Sequence, residues 1–227
     1  DKEVIIAAVQ NNGDALEYAS DSFKGDKEVV MAAVQSSSTA LAYASDSFKA
    51  DKEVVMAAVQ NNEDIYNPQG ALEHAADSIK DNLEIILELL SINGLCLEFV
   101  SGAFQNNKEV VMKAVQNNGD ALEYASDSFK ADKEVVMTAV QNNGDALRHA
   151  ADSIKADKDI FMTALESMLL ASEEKNDDGD IKFGPRWSLL EHAPASILDD
   201  REIVMKAINI NPMEFYDAPD YIKGDKD

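Results

Sequence analysis

Four oxygen-bearing side chains in one short stretch have the spacing to hold a hard cation: Glu174, Asn176, Asp178 and Asp180, with Gly179 and Ile181 among them. They partly follow the D-x-D-x-D-G-x-I pattern of a calcium loop, in which alternate residues turn oxygens inward around a glycine bend. Two departures weaken the match. The first ligand is Glu rather than Asp, and Pro185 stands at the twelfth position, where a bidentate glutamate belongs. The stretch therefore reads first as an acidic loop closed by the Gly184-Pro185 turn, with calcium as the weaker alternative and no metal assigned. Trp187, the single tryptophan, follows and is placed to pin the loop back onto the fold.

The three histidines offer a second chemistry. His74, His149 and His192 fall at one position of a repeated unit, where other copies carry Tyr18, Tyr43, Phe99, Tyr124 and Asp217. Exchange of His with Tyr and Phe favours a half-buried planar side chain over a metal ligand, which would want Cys, His or carboxylate partners at short spacing. If this segment lines a groove, Tyr18, Tyr43, His74, Tyr124, His149 and His192 are the residues to contact a ligand, because Tyr is a frequent contact residue. Met31, Met56, Met112, Met137, Met162 and Met205 also share one unit position, and read as core filler.

No nucleophile elbow, phosphate-binding glycine loop, HExxH or CxxC is present. The carboxylates recur with the unit as caps and surface charges, so no catalytic pair stands out and no cofactor is implied. Cys96, the only cysteine, rules out an internal disulfide framework and reads as a small buried hydrophobe in a reducing compartment.

The elements that must position these residues come from the repeat itself. Asn107–Ala131 and Asp132–Ala156 are near copies, and the unit lays over the whole chain as 1–25, 26–50, 51–81, 82–106, 107–131, 132–156, 157–199 and 200–224, with 225–227 opening a ninth. The extra residues of copies three and seven, Glu63–Pro68 and about Leu169–Arg186, fall at the same place between the two halves of the unit. The chain starts and stops near unit boundaries, as a piece of a longer array would.

In each copy the first half is predicted to be a helix. Asp opens six copies as N-cap, and Asn82 and Asn107 replace it in copies four and five. Val135, Val136, Met137, Ala139 and Val140 cover an arc too wide for one neighbour, as suits a helix wedged between two copies. Asn142-Asn143-Gly144 ends it, with the glycine expected in a left-handed C-cap. The second half is predicted to be a shorter helix capped by its Asp, with capping boxes at Asp14/Glu17, Asp120/Glu123 and Ser188/Glu191. Pro194 and Pro219 stand where copy five has Ser126, so a break is expected there, followed by a short turn that buries Phe129 or its equivalents.

Helices this short, below about 12–15 residues, are marginal alone and need stacking. The expected fold is therefore all-α: an α-solenoid, a superhelical stack of eight two-helix repeats of about 25 residues, forming one elongated and right-handed array. Copy four, with Leu83, Ile85, Ile86, Leu87, Leu89, Leu90 and Leu97, is the most apolar; it is either the best core or an exposed patch that binds something.

The net charge is −23, about −3 per copy. Such a surface repels nucleic-acid phosphate and anionic membranes, and favours a basic protein or peptide. No signal peptide or membrane-length apolar run is present, consistent with a cytoplasmic setting.

The D-K-E-V-V-M-x-A-V…A-L-E-Y-A-S signature resembles a family of short bacterial and protist repeats known only as a domain of unknown function, over nearly the whole chain. The resemblance implies a tandem helical array and an effector or host-interaction setting, with host cytosol as the location. It supplies no catalytic or binding residues. The expected function is thus a non-enzymatic protein- or peptide-binding scaffold. The alternative is a targeting or spacer region of a larger enzyme.

Overall fold

The computed structural model describes residues 1–61, 69–173 and 188–224. The calcium-loop candidates Glu174, Asn176, Asp178 and Asp180, together with Trp187 and most of both insertions, lie outside the described residues. The fold is an all-α solenoid of tandem repeats, with no strand among the described residues. It packs as two compact bodies, Asp1–Asn117 and Asn118–Asp227.

Copy six shows how one unit is made. Asp132 Oδ1 accepts from the backbone N–H of Glu134 and Val135 at 2.9 and 3.2 Å, which starts the helix Lys133–Asn142. The same side-chain cap is made by Asp26, Asp51, Asn107, Asp157 and Asp200. Four residues of this helix are buried: Val135, Val136, Ala139 and Val140. They form a stripe of two adjacent rows on one side of the helix.

The second half is the shorter helix expected, and it is of the 3₁₀ type, Gly144–His149. The cause is the spacing of the buried positions. Gly144, Leu147 and Ala150 recur every three residues, as do Gly119, Leu122 and Ala125 in copy five and Gly13, Leu16 and Ala19 in copy one. A period of three puts one row on one face only when the helix tightens to three residues per turn.

The chain then breaks where expected. Ser126 has φ −61 and ψ 155, and Pro194 has φ −69 and ψ 159, an extended conformation that proline adopts without strain. A four-residue helix follows, Asp127–Lys130 in copy five and Asp152–Lys155 in copy six. Its Phe129 or Ile154 is half-buried, while Ile79 and Ile197 are fully buried. The break also joins copies: the backbone N–H of Ser45, Ala76 and Ala151 donates to the carbonyls of Lys24, Lys49 and Lys130 at 2.9–3.0 Å.

Three local expectations are corrected. Gly144 is not a left-handed cap: the C-cap is Asn143, extended at φ −146, and the only positive-φ glycine among the described residues is Gly224. Glycine is needed because the next copy comes too close. A Cβ on Gly144 would lie 2.3 Å from the carbonyl oxygen of Ala164, and one on Gly119 2.4 Å from that of Ala139. Second, the 3₁₀ helices are capped by Asn12, Asn118 and Asn143, not by Asp14, Asp120 and Asp145. Asp14 and Asp120 reach the following copy instead, accepting from Thr39 Oγ1 at 2.6 Å and Asn143 Nδ2 at 3.1 Å. Of the three expected capping boxes, only copy seven shows the forward bond, from Glu191 N–H to Ser188 Oγ at 3.2 Å. Third, the copy-seven insertion does not begin as loop, since the first helix continues to Glu173.

The first Asn of the N-N-G motif clamps the copy before it. Asn117 Oδ1 accepts from the Gly94 N–H at 2.7 Å while its Nδ2 donates to Ser91 O at 2.9 Å, and Asn142 Oδ1 accepts from Gly119 N–H at 2.7 Å. These bonds satisfy groups that the helix-to-3₁₀ junction leaves unpaired.

Candidate interaction surface

The expected ligand row lies along the 3₁₀ helices, except that His74 falls in the bend after the short helix Gln69–Leu72. Tyr43, His74, Tyr124 and His149 are half-buried, His192 is exposed, and Tyr18 is 86% exposed. The Tyr43 hydroxyl is held above its usual range by Glu17, then by burial and by Asp14. In the second body, His149 Nε2 accepts from Arg148 Nε at 2.8 Å. Burial, reinforced by Arg148, Lys130 and Lys155, pushes the imidazole down to about 4, so it is neutral near pH 7 and is not charge-paired with Glu123, 3.8 Å away. This histidine is a packed planar group joined to its neighbour. Among the described residues, no three His, Cys, Asp or Glu side chains gather as a metal would require. Cys96 is buried and its thiol is pushed up to about 12 by that burial, which leaves it inert as a nucleophile.

The methionines are not core. Met31, Met56, Met112, Met137 and Met162 are half-buried and Met205 is exposed. In copies two, three, five and six the four buried positions of the first helix already fill the space on its inner side, so the methionine side chain sits at the rim. It shares that rim with the Glu three residues earlier and the Gln four residues later, as in Glu109, Met112 and Gln116. The first helices therefore present a second surface with acidic, thioether and amide side chains in register.

Part of the acidity is balanced within the stack. In copies one, two and six the Lys after the cap reaches the next copy's cap and its following carboxylate. Lys2 meets Asp26 at 2.7 Å and Glu28 at 2.8 Å, Lys27 meets Asp51 and Glu53, and Lys133 meets Asp157 at 2.6 Å. Hydrogen bonds from these lysines hold Asp26 and Asp157 below the usual carboxylate range.

In the first body this rim opens into a groove of about 570 Å³ between the helices Leu83–Ile92 and Lys108–Asn117. Leu87 and Met112 form its floor, and Glu84, Glu88 and Glu109 stand along it with Lys113. Copy four is thus core on one face, through Ile86, Leu89, Leu90 and Leu97, and surface on the other, with Leu83 38% exposed. Sequence reasoning placed the methionines inside and missed the groove. The available signal was the acidic residue three positions before each of them.

Segments 1–49, 26–80, 51–105, 82–130, 132–172 and 182–223 each match the family described as a domain of unknown function, DUF4116. The chain belongs to the DUF4116 family. Most matched segments span two successive copies, and five of the six begin where a copy begins. No curated protein and no solved structure matches the chain. Among the described residues of this DUF4116 array, no helix is long and apolar enough to cross a membrane.

Proposed function

We propose that this DUF4116 array is a non-enzymatic scaffold that binds a basic protein or peptide along the exposed rim of its first helices. The observation that carries this reading is the composition of that rim: acidic at one position in every copy, with Met at the next turn and Gln beyond it in copies two, three, five and six, on a chain of net charge −23. Carboxylates steer and orient a cationic partner. Methionine adapts its shape to different apolar side chains, which suits a surface that reads a class of sequence.

Binding of labelled basic and acidic peptides to the immobilised chain, at low and high salt, tests it. The basic peptides should bind and weaken as the Debye length shrinks from about 10 Å at 0.1 M to about 3 Å at 1 M salt. Equal binding of both peptide sets, or binding indifferent to salt, overturns the reading.

A further inference from the structure

We infer that the groove between copies four and five is the arginine-reading seat of this surface, taking a guanidinium between Glu84 and Glu109 and an apolar side chain on Leu87 and Met112. This rests on the scaffold reading above and names where, and by what chemistry, it is selective.

The groove differs from the rest of the rim in shape and in charge. Here the space between neighbouring first helices widens to about 570 Å³, large enough for more than one side chain. Its floor is apolar because copy four has Leu87 where most copies have Met, beside Met112. Its walls carry three carboxylates. Glu88 is engaged by Lys52 at 2.6 Å, which holds it at one side. Glu84 and Glu109 have no side-chain ion pair among the described residues and stand exposed on opposite helices across the groove. Two such carboxylates suit a planar donor fork better than a compact ammonium, because a guanidinium offers bonds in two directions and stacks over a thioether or aliphatic floor. Lys113 lies on the same wall and repels the incoming cation. It limits affinity and restricts where along the groove the guanidinium can sit.

The occupant is therefore a partner segment carrying arginine next to an aliphatic residue. A segment of lysine and glutamine alone would gain charge attraction but lose both the fork and the floor.

The test uses the full chain and a fluorescent peptide alternating arginine and leucine, with lysine–leucine and glutamate–leucine peptides as comparators. The arginine peptide should bind the chain more tightly than the lysine peptide. The double variant Glu84→Gln/Glu109→Gln should weaken it by about tenfold or more. Lys113→Ala should strengthen it severalfold. The control Glu134→Gln removes the equivalent carboxylate of copy six and should change affinity less than about twofold. Circular dichroism melts of each variant establish that all are folded.

If the arginine peptide binds but the Glu84/Glu109 variant and the Glu134 control weaken it equally, the seat is overturned while the scaffold reading stands. If arginine and lysine peptides bind alike, the fork is overturned. If the folded wild-type chain binds no basic peptide, both readings fall together.

Discussion

Copy six and the copy seven–eight pair, all in the second body, build the same succession of helix, 3₁₀ turn and short helix with different side chains. Copy six uses the repeat's own parts: Asn143 caps the turn, Gly144 lets the next helix approach, and Ala151 N–H bonds to Lys130 O. In copy seven the insertion occupies the stretch where the N-N-G motif would stand, and Pro194 has no N–H to give. The cap comes from copy eight instead. Glu214, fully buried where copies one, two, three, five and six have alanine, accepts from Ser188 Oγ at 2.7 Å and from the N–H groups of Leu189 and Leu190 at 2.8 and 2.9 Å. The comparison teaches that the backbone period is what persists, while the groups that satisfy it can be supplied from a neighbour.

The sharpest way to break the comparison is Glu214→Ala. It restores the residue type of the regular copies but leaves the buried N–H groups of Leu189 and Leu190, and the half-buried Ser188 hydroxyl, without this acceptor. The expected cost is about 3 kcal/mol, against near neutrality if copy seven were capped as copy six is. Chemical denaturation, followed by hydrogen exchange at Leu189 and Leu190, measures it. A midpoint within error of wild type would show that Glu214 is not the cap.

Gly144→Ala probes the regular side. The added Cβ would meet the Ala164 carbonyl oxygen at 2.3 Å and the Met168 side chain at 2.6 Å. Backbone cannot yield as a side-chain tip can, so copies six and seven must separate at a cost of about 2–3 kcal/mol. A left-handed cap would also resist alanine, so the two explanations are divided by Gly144→Asn. Asparagine tolerates positive φ and would partly rescue a cap, whereas it worsens a clash. The expected result is that Asn is worse than Ala.

These two sites also mark how far the sequence could be read. The unit length, the first-helix caps and the break before the short helix were legible because each depends on residues within one copy: Asp132 caps its own helix, and Pro194 excludes its own preceding turn. The roles of Gly144, Asn142 and Glu214 were not legible, because their partners lie 20 or more residues away in the adjacent copy. The 3₁₀ turn was missed because Ala121, Leu122 and Ala125 also make a tolerable α-helical face, and only the burial of Gly119 reveals the period of three. The site was hidden in another way. Glu109 and Met112 look like any other copy's Glu and Met, and only the packing of copy four beside copy five makes them the wall and floor of a groove.

The next prediction sharpens the contrast at the one position where copies six and seven both carry histidine. His149 is half-buried with its pKa lowered to about 4 from 6.5, while His192 is exposed. A histidine that resists protonation when folded is protonated first in the unfolded chain. Stability should then fall as pH drops from 6.5 toward 4 and flatten below that, by on the order of 2 kcal/mol. His149→Tyr, the residue of copy five, should remove this slope, and His192→Tyr should leave it. Urea midpoints at closely spaced pH values decide. Equal slopes in the two variants would mean that His149 titrates freely.

The smallest effect belongs to the ladder that both regions share. Lys133 reaches Asp157 at 2.6 Å and Asp159 at 3.8 Å, and Lys158 reaches Asp200. Asp157 and Asp200 are held below the ordinary carboxylate range chiefly by these lysines. A lowered folded value means the stabilisation is present above the unfolded carboxylate pKa and is lost as pH falls through the folded one. Lys133→Ala should therefore lower stability slightly at neutral pH and flatten its fall in acid, with no difference from wild type below the folded pKa or at about 1 M salt, since exposed pairs are strongly screened. The same substitution at Lys158 should behave alike, although its partner caps copy eight across the inserted segment. If Lys158→Ala instead cost far more than Lys133→Ala at neutral pH, the ladder would be a structural tie specific to the irregular pair, rather than a feature both regions inherit from the repeat.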